Sequence, residues 1–226
     1  MTLPLARSLQ RALADHSDAD IAAGQFAYMK GIQPFRGVKT PERRALLREC
    51  LAEHPVTDFD AYRSNIHALW TGNFREERYL ALDLAVRAKA FRSDALPLFE
   101  EMLAEADWWD VLDPLAADLL GGALRDKRNL LARKAGQWRR SDHLWARRAA
   151  LLVQLKYRQE TDTDLLGETV LMLAPETDFF IRKAIGWALR EYSKTDSRWV
   201  RQFVRSRADV LSPLSRREAL KWLERR

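Results

Sequence analysis

The sequence predicts an all-α protein made of about a dozen short helices arranged as repeated pairs. Three observations carry that expectation. Apolar residues recur at three- and four-residue spacing along almost all of the 226 residues, which is the period of one helix face. No run alternates apolar and polar residues as a half-buried strand would. Related blocks of sequence return every 35 residues, close to the length of a helix pair with its turns in known helical repeats.

Taken in chain order, the helices announce their starts. Asp58, Asp94, Asp107, Asp142 and Asp178 each stand just before an apolar-periodic segment, where a carboxylate can accept the free N–H groups of a first turn. Thr40-Pro41 and Ser212-Pro213 each pair a capping hydroxyl with a proline suited to the first helical position. The bodies follow the same logic. Leu46, Leu47 and Cys50 form one stripe, Leu80 and Leu84 with Arg87 a second, and Leu144, Leu151, Leu152 and Leu155 a third. Only 9 Gly and 8 Pro interrupt the chain, which fits helices of ordinary length, about 11–12 residues.

The repeat is legible as Glu42-Arg43-Arg44-Ala45-Leu46, Glu77-Arg78-Tyr79-Leu80-Ala81, Arg147-Arg148-Ala149-Ala150-Leu151 and Arg182-Lys183-Ala184-Ile185, with Arg217-Glu218-Ala219-Leu220 a weaker copy. Steps of 35 from Arg43 reach Arg78, Asp113, Arg148 and Lys183. Stacked pairs form a solenoid with a concave face, so the basic members are expected to line a groove suited to a polyanion. Asp113 interrupts the row. Asp113-Pro114 is either a helix cap followed by proline at the first position or a carboxylate kept in the row for chemistry.

Composition excludes several classes. The longest stretch without a charged residue is 11 residues, Ser64 to Phe74, whereas a spanning helix needs about 20. No apolar core of signal-peptide length precedes Arg7. One cysteine, Cys50, permits no internal disulfide and fits a reducing compartment. A cytoplasmic location is expected, on the nucleoid in a bacterium. The four histidines are scattered and make no zinc spacing. The net charge of +6 is uneven: residues 1–120 carry 14 basic and 19 acidic side chains, −5, and residues 121–226 carry 24 and 13, +11. Such asymmetry points to a polyanion-facing surface in the C-terminal half.

Eight tryptophans narrow the site. Trp70, Trp138, Trp145, Trp199 and Trp222 are expected in the core. Trp109 and Trp187 differ. Trp109 lies four residues before Asp113, on one helix face. Arg190 and Lys194 follow Trp187 at three and seven on another. An indole face attracts cations and supports sugars or bases.

Several blocks in order resemble the AlkD family of DNA alkylation-repair glycosylases, built from HEAT-like repeats. They are Tyr28-Met29-Lys30, Gly37-Val38-Lys39-Thr40-Pro41-Glu42-Arg43-Arg44, Trp108-Trp109-Asp110-Val111-Leu112-Asp113, Trp145-Ala146-Arg147-Arg148-Ala149-Ala150, Gln154-Leu155-Lys156-Tyr157, Ala184-Ile185-Gly186-Trp187-Ala188-Leu189-Arg190-Glu191-Tyr192 and Pro213-Leu214-Ser215-Arg216-Arg217-Glu218-Ala219. The resemblance covers nearly the whole length and implies one HEAT-like domain over residues 1–226. It implies excision of cationic N-alkylated bases, such as 3-methyladenine and 7-methylguanine, from double-stranded DNA, without metal or cofactor and without extruding the base. By position it implies that Asp113 is the catalytic carboxylate, that Trp109 and Trp187 pack against the deoxyribose, that Arg148 and Arg190 meet the DNA backbone, and that Tyr28 lies near the lesion. Arg43 and Lys194 are further expected DNA contacts, from the row and from the Trp187 face. A monomer is expected. The alternative is a non-catalytic helical-repeat scaffold that binds DNA or a protein.

The residue types agree with that chemistry. Ordinary glycosidases use two carboxylates, one to protonate the leaving group. An alkylated purine is already cationic and leaves neutral. One carboxylate then suffices to face the sugar cation and hold water.

Overall fold

The computed structural model describes residues 3–225 and is all-helical, with no strand among them. Two compact units divide the chain, one through Leu98 and one from Phe99. No helix is long and apolar enough to cross a membrane among the described residues.

In the first unit, α1 (Pro4–Asp15), α3 (Thr40–Glu53), α4 (Phe59–Trp70) and α5 (Arg75–Arg87) pack on one another, with α2 (Ala19–Tyr28) between α1 and α3 in sequence. Leu5, Leu9 and Leu13 form the inner stripe of α1, each 1% exposed or less. Burying such a leucine contributes about 1.5–3 kcal/mol. The loop before α3 is held by one carboxylate. Glu76, fully buried in the first turn of α5, accepts N–H bonds from Arg36, Gly37 and Val38 at 2.9–3.2 Å. Gly37 has φ +88°, and a Cβ there would sit 2.1 Å from the Asp18 carbonyl oxygen, so only glycine fits. Tyr28, the last residue of α2, is 71% exposed.

α6 (Leu96–Ala104) carries the chain into the second unit. There α7 (Trp109–Pro114) runs through a π-helical stretch, Leu115–Leu120, into α8 (Gly121–Leu124). The rest is α9 (Arg128–Trp138), α10 (Leu144–Leu152), α11 (Thr163–Leu173), α12 (Phe179–Ser193), α13 (Ser197–Ser206) and α14 (Pro213–Leu220). α7 packs on α10, α10 on α12 and α12 on α14, while α9, α11 and α13 flank them as partners.

The 35-residue period is physical. Arg43 and Arg78 are the fourth residues of α3 and α5, and Asp113, Arg148 and Lys183 are the fifth of α7, α10 and α12. The row does not present free cations, however. Arg43 is buried against Asp83 at 3.2 Å, Arg148 against Asp113 at 2.8 Å, and Lys183 meets Glu218 at 3.0 Å. Arg78 lies 5.0 Å over the Trp70 ring and donates to the Trp70 carbonyl. The reason is the register itself. For Arg148 and Lys183, residues 35 apart on stacked helices face one another, Asp113 and Glu218 respectively, and a charge at such an interface must be paired.

Several expected caps shift. Asp58, Asp178 and Ser212 cap α4, α12 and α14 through their side chains. Asp18, Asp162 and Asp196 do the same for α2, α11 and α13. The residues at the caps of α3, α7 and α10 are Lys39, Trp108 and His143, with no side-chain cap bond, so Thr40, Asp107 and Asp142 fall one residue out of register. Asp94 lies two residues before α6. Trp70, Trp138 and Trp145 are core, whereas Trp199 is half-buried and stacks on Phe203 with centroids 4.9 Å apart, and Trp222 is half-buried too.

Candidate active site

Asp113 is not a cap. It lies inside α7, and both its oxygens are taken by one guanidinium: Arg148 Nε donates to Oδ1 and Nη2 to Oδ2, each at 2.8 Å. The third guanidinium corner, Nη1, donates to the Phe180 carbonyl oxygen at 2.6 Å. The fork therefore links α7, α10 and the first turn of α12. Its side chains are 13% exposed for Asp113 and 6% for Arg148. Planar two-point pairing of this kind fixes direction as well as distance.

Burial pushes the Asp113 carboxyl above its ordinary value. Hydrogen bonding and charge from Arg148 pull it down, and the nearby Asp110 pushes it up again. The outcome is an upward shift. A carboxylate partly starved of water is a stronger electrostatic partner for a developing cation than an exposed one.

Local sequence explains how α7 presents this group. Pro114 has no N–H to offer the helix, and the π-helical stretch begins at the next residue. The Gly121 N–H reaches back five residues to the Ala116 carbonyl. Single-turn π bulges of this type often mark functional sites. The end of this long helix is tied to the turn after α10. Tyr157 donates its hydroxyl to the Gly121 carbonyl at 2.8 Å, and a Cβ on Gly121 would lie 2.3 Å from the Val153 carbonyl oxygen.

Trp109 and Trp187 are both half-buried, on α7 and α12. A separate aromatic cluster braces the site from the side. Trp108, Trp145 and Phe180 pack with centroids 5.0–5.7 Å apart, and Phe179, 57% exposed, packs edge-on against Phe180. This cluster holds Phe180, whose carbonyl holds Arg148. Phe180 lies two residues after the Asp178 cap, and nothing in helical spacing says that its backbone oxygen will be the ligand.

Arg190 is half-buried, and its Nη1 donates to Glu218 at 2.6 Å. Glu218, nearly buried on α14, also pairs with Lys183. Burial pushes the Glu218 carboxyl up, but Lys183, Lys221 and Arg190 outweigh it and hold it below its ordinary value. Lys194 is exposed and pairs with Glu191. Asp113, Trp109, Arg148, Trp187, Arg190 and Lys194 thus all belong to the second unit, while Tyr28 and Arg43 belong to the first.

Fold and site define a helical-repeat protein with one half-shielded carboxylate, a guanidinium clamp and aromatic neighbours. Residues 9–223 match the family model of the DNA alkylation repair enzymes. The chain is also similar to a solved structure described as "Predicted DNA alkylation repair enzyme from Enterococcus faecalis", with a TM-score of 0.84 and 32% identity over 93% of this chain and 98% of that one. No curated protein matches the chain significantly. The chain belongs to the DNA alkylation repair enzyme family, is AlkD-like, and has its role in DNA repair.

Proposed function

We propose that the chain is a DNA glycosylase that hydrolyses the N-glycosidic bond of cationic N-alkylated purines, such as 3-methyladenine and 7-methylguanine, in duplex DNA. The product is an abasic site, and the base is not everted, unlike the usual glycosylase strategy. One observation carries the reading: a single carboxylate, Asp113, held in fixed direction by Arg148 in the helix row.

The chemistry needs little more. As the bond breaks, its electron pair stays with the base, which departs neutral. The deoxyribose takes on oxocarbenium character. Asp113 faces that charge, and lone pairs not used by Arg148 accept a hydrogen bond from the water whose oxygen bonds to the sugar carbon; the water's proton passes to the carboxylate and on to solvent. Trp109 and Trp187 offer indole faces to the same cation. Arg190 and Lys194 are assigned to the backbone of the lesion strand and exposed Tyr28 is a further DNA contact, and phosphate contacts of this type set register without reading sequence. Arg148, its three corners taken by Asp113 and Phe180, positions the carboxylate instead. Arg43 contributes by bracing α3 against α5 through Asp83. No residue is assigned to a metal or cofactor. The protein acts as a monomer in the cytoplasm, as one functional domain over its full length.

The test is base release from methylated duplex DNA. Asp113→Asn is expected to lower single-turnover release on the order of 100–1,000-fold while DNA affinity is kept or improved. No release by wild type above background would instead leave a DNA-binding scaffold.

A further inference from the structure

Several cations of the second unit pair with carboxylates. Lys134 pairs with Glu100, Arg139 with Glu168 and Arg147 with Glu176. The C-terminal edge is different. α13 buries Val200 and Val204 and turns Arg198, Arg201 and Arg205 outward, at spacings of three and four. Beside it, α14 carries Arg216 and Arg217. A groove of about 640 Å³ runs between the two helices, lined by Arg201, Arg205, Arg216 and Arg217, with Val204 in its wall and Glu224 its single acid. None of these four arginines forms an ion pair among the described residues; only Arg201 has a side-chain hydrogen bond, to the Leu223 carbonyl at 3.4 Å.

We propose that this groove is a second DNA-binding surface, which grips the phosphodiester backbone away from the Asp113 site. Four unpaired guanidiniums on one groove repel each other and are retained at a cost to stability. An anionic ligand removes that cost. Guanidinium forks match phosphate oxygens in two-point geometry. Arg198 to Arg205 span about 10 Å along α13 at 1.5 Å per residue. A duplex strand offers a phosphate about every 3.4 Å of helix axis, so the ridge is long enough for several and suits a backbone better than a lone anion. Arg216 also stands about 200° around α14 from Glu218, the residue that faces α12. One helix thus braces the site with one face and carries the groove on another. The groove goes beyond the proposed chemistry, because it needs no residue of the Asp113 site and no lesion.

The full-length protein tests it with two paired variants, Arg205→Glu with Arg216→Glu and Arg205→Gln with Arg216→Gln. Binding to undamaged duplex is measured across salt concentrations. The glutamate pair is expected to flatten the slope of log affinity against log salt by about 2, at roughly 0.9 per phosphate contact. The glutamine pair flattens it by a similar amount while keeping the wild-type melting temperature, so a misfolded glutamate pair does not decide the outcome. Base release at saturating DNA stays unchanged in both. A wild-type slope in the glutamine pair overturns the proposal. So does poly-glutamate that competes with duplex for the groove at equal charge, which would assign it to an acidic protein. Because undamaged DNA is the probe, this result stands apart from whether wild type releases bases.

Discussion

The Asp113–Arg148 fork sets the behaviour of the site through burial. Removing one member of a buried pair leaves a charge without water or partner, at about 3–5 kcal/mol, reduced here because Asp113 keeps some exposure. Arg148→Ala is therefore expected to lower the melting temperature and to push the Asp113 carboxyl higher still. The sign for catalysis follows. Only the ionised carboxylate can face the sugar cation, so base release falls as pH drops through the Asp113 pKa, which lies above the ordinary 3.8. In Arg148→Ala the fall begins at higher pH. Single-turnover release measured against pH checks both, and a flat wild-type profile across the acid range would exclude Asp113 as the group. The sequence singled out Asp113 by its interruption of a basic row. It left cap and catalyst open because Asp-Pro has the same local pattern in both, and only the tertiary partner of the carboxylate distinguishes them.

α12 is placed by α14. Gly186 lets the two helices touch: a Cβ there would lie 2.4 Å from the Glu218 Cβ and 2.9 Å from the Ser215 carbonyl oxygen. Ser215 Oγ also donates to the Arg182 carbonyl at 2.9 Å. Gly186→Ala should force the helices apart at about 1–3 kcal/mol of stability, visible as a lower melting temperature. Glu218 makes the contact pH-dependent. Its folded pKa is below the unfolded 4.5, so its contribution is present above 4.5 and lost as pH falls through the folded value. Glu218→Gln is expected to flatten stability against pH below 4.5 in thermal melts. At this scale the apolar stripes reported helix bodies well. The starts were harder, since Asp107 and Asp142 sit one residue away from the position that caps, and spacing alone does not resolve one residue.

Across the molecule, the charge of +6 does two separate jobs. Cations at the repeat positions stitch neighbouring helices, as Arg43 does with Asp83. Cations without carboxylate partners, most clearly in the α13–α14 groove, are free for phosphates. Arg43→Ala is accordingly expected to lower the melting temperature while leaving the salt slope of DNA binding at the wild-type value. A flattened slope in that variant would return Arg43 to the DNA surface. The sequence showed which half of the chain is basic, but counting charges cannot tell a paired cation from an unpaired one.

Residue order alone was enough for the all-helical class, the 35-residue period and the position of the odd carboxylate, because helical spacing and repeats are local or periodic properties of a chain. Tertiary structure decided which charges meet. It joined Asp113 to Arg148, Arg148 to a backbone oxygen of Phe180, and Glu218 to Arg190, and it left the arginines of α13 and α14 without a carboxylate partner among the described residues. Those outcomes depend on which helix faces stack and how closely, and the energy of a charge is settled by its neighbours and its access to water.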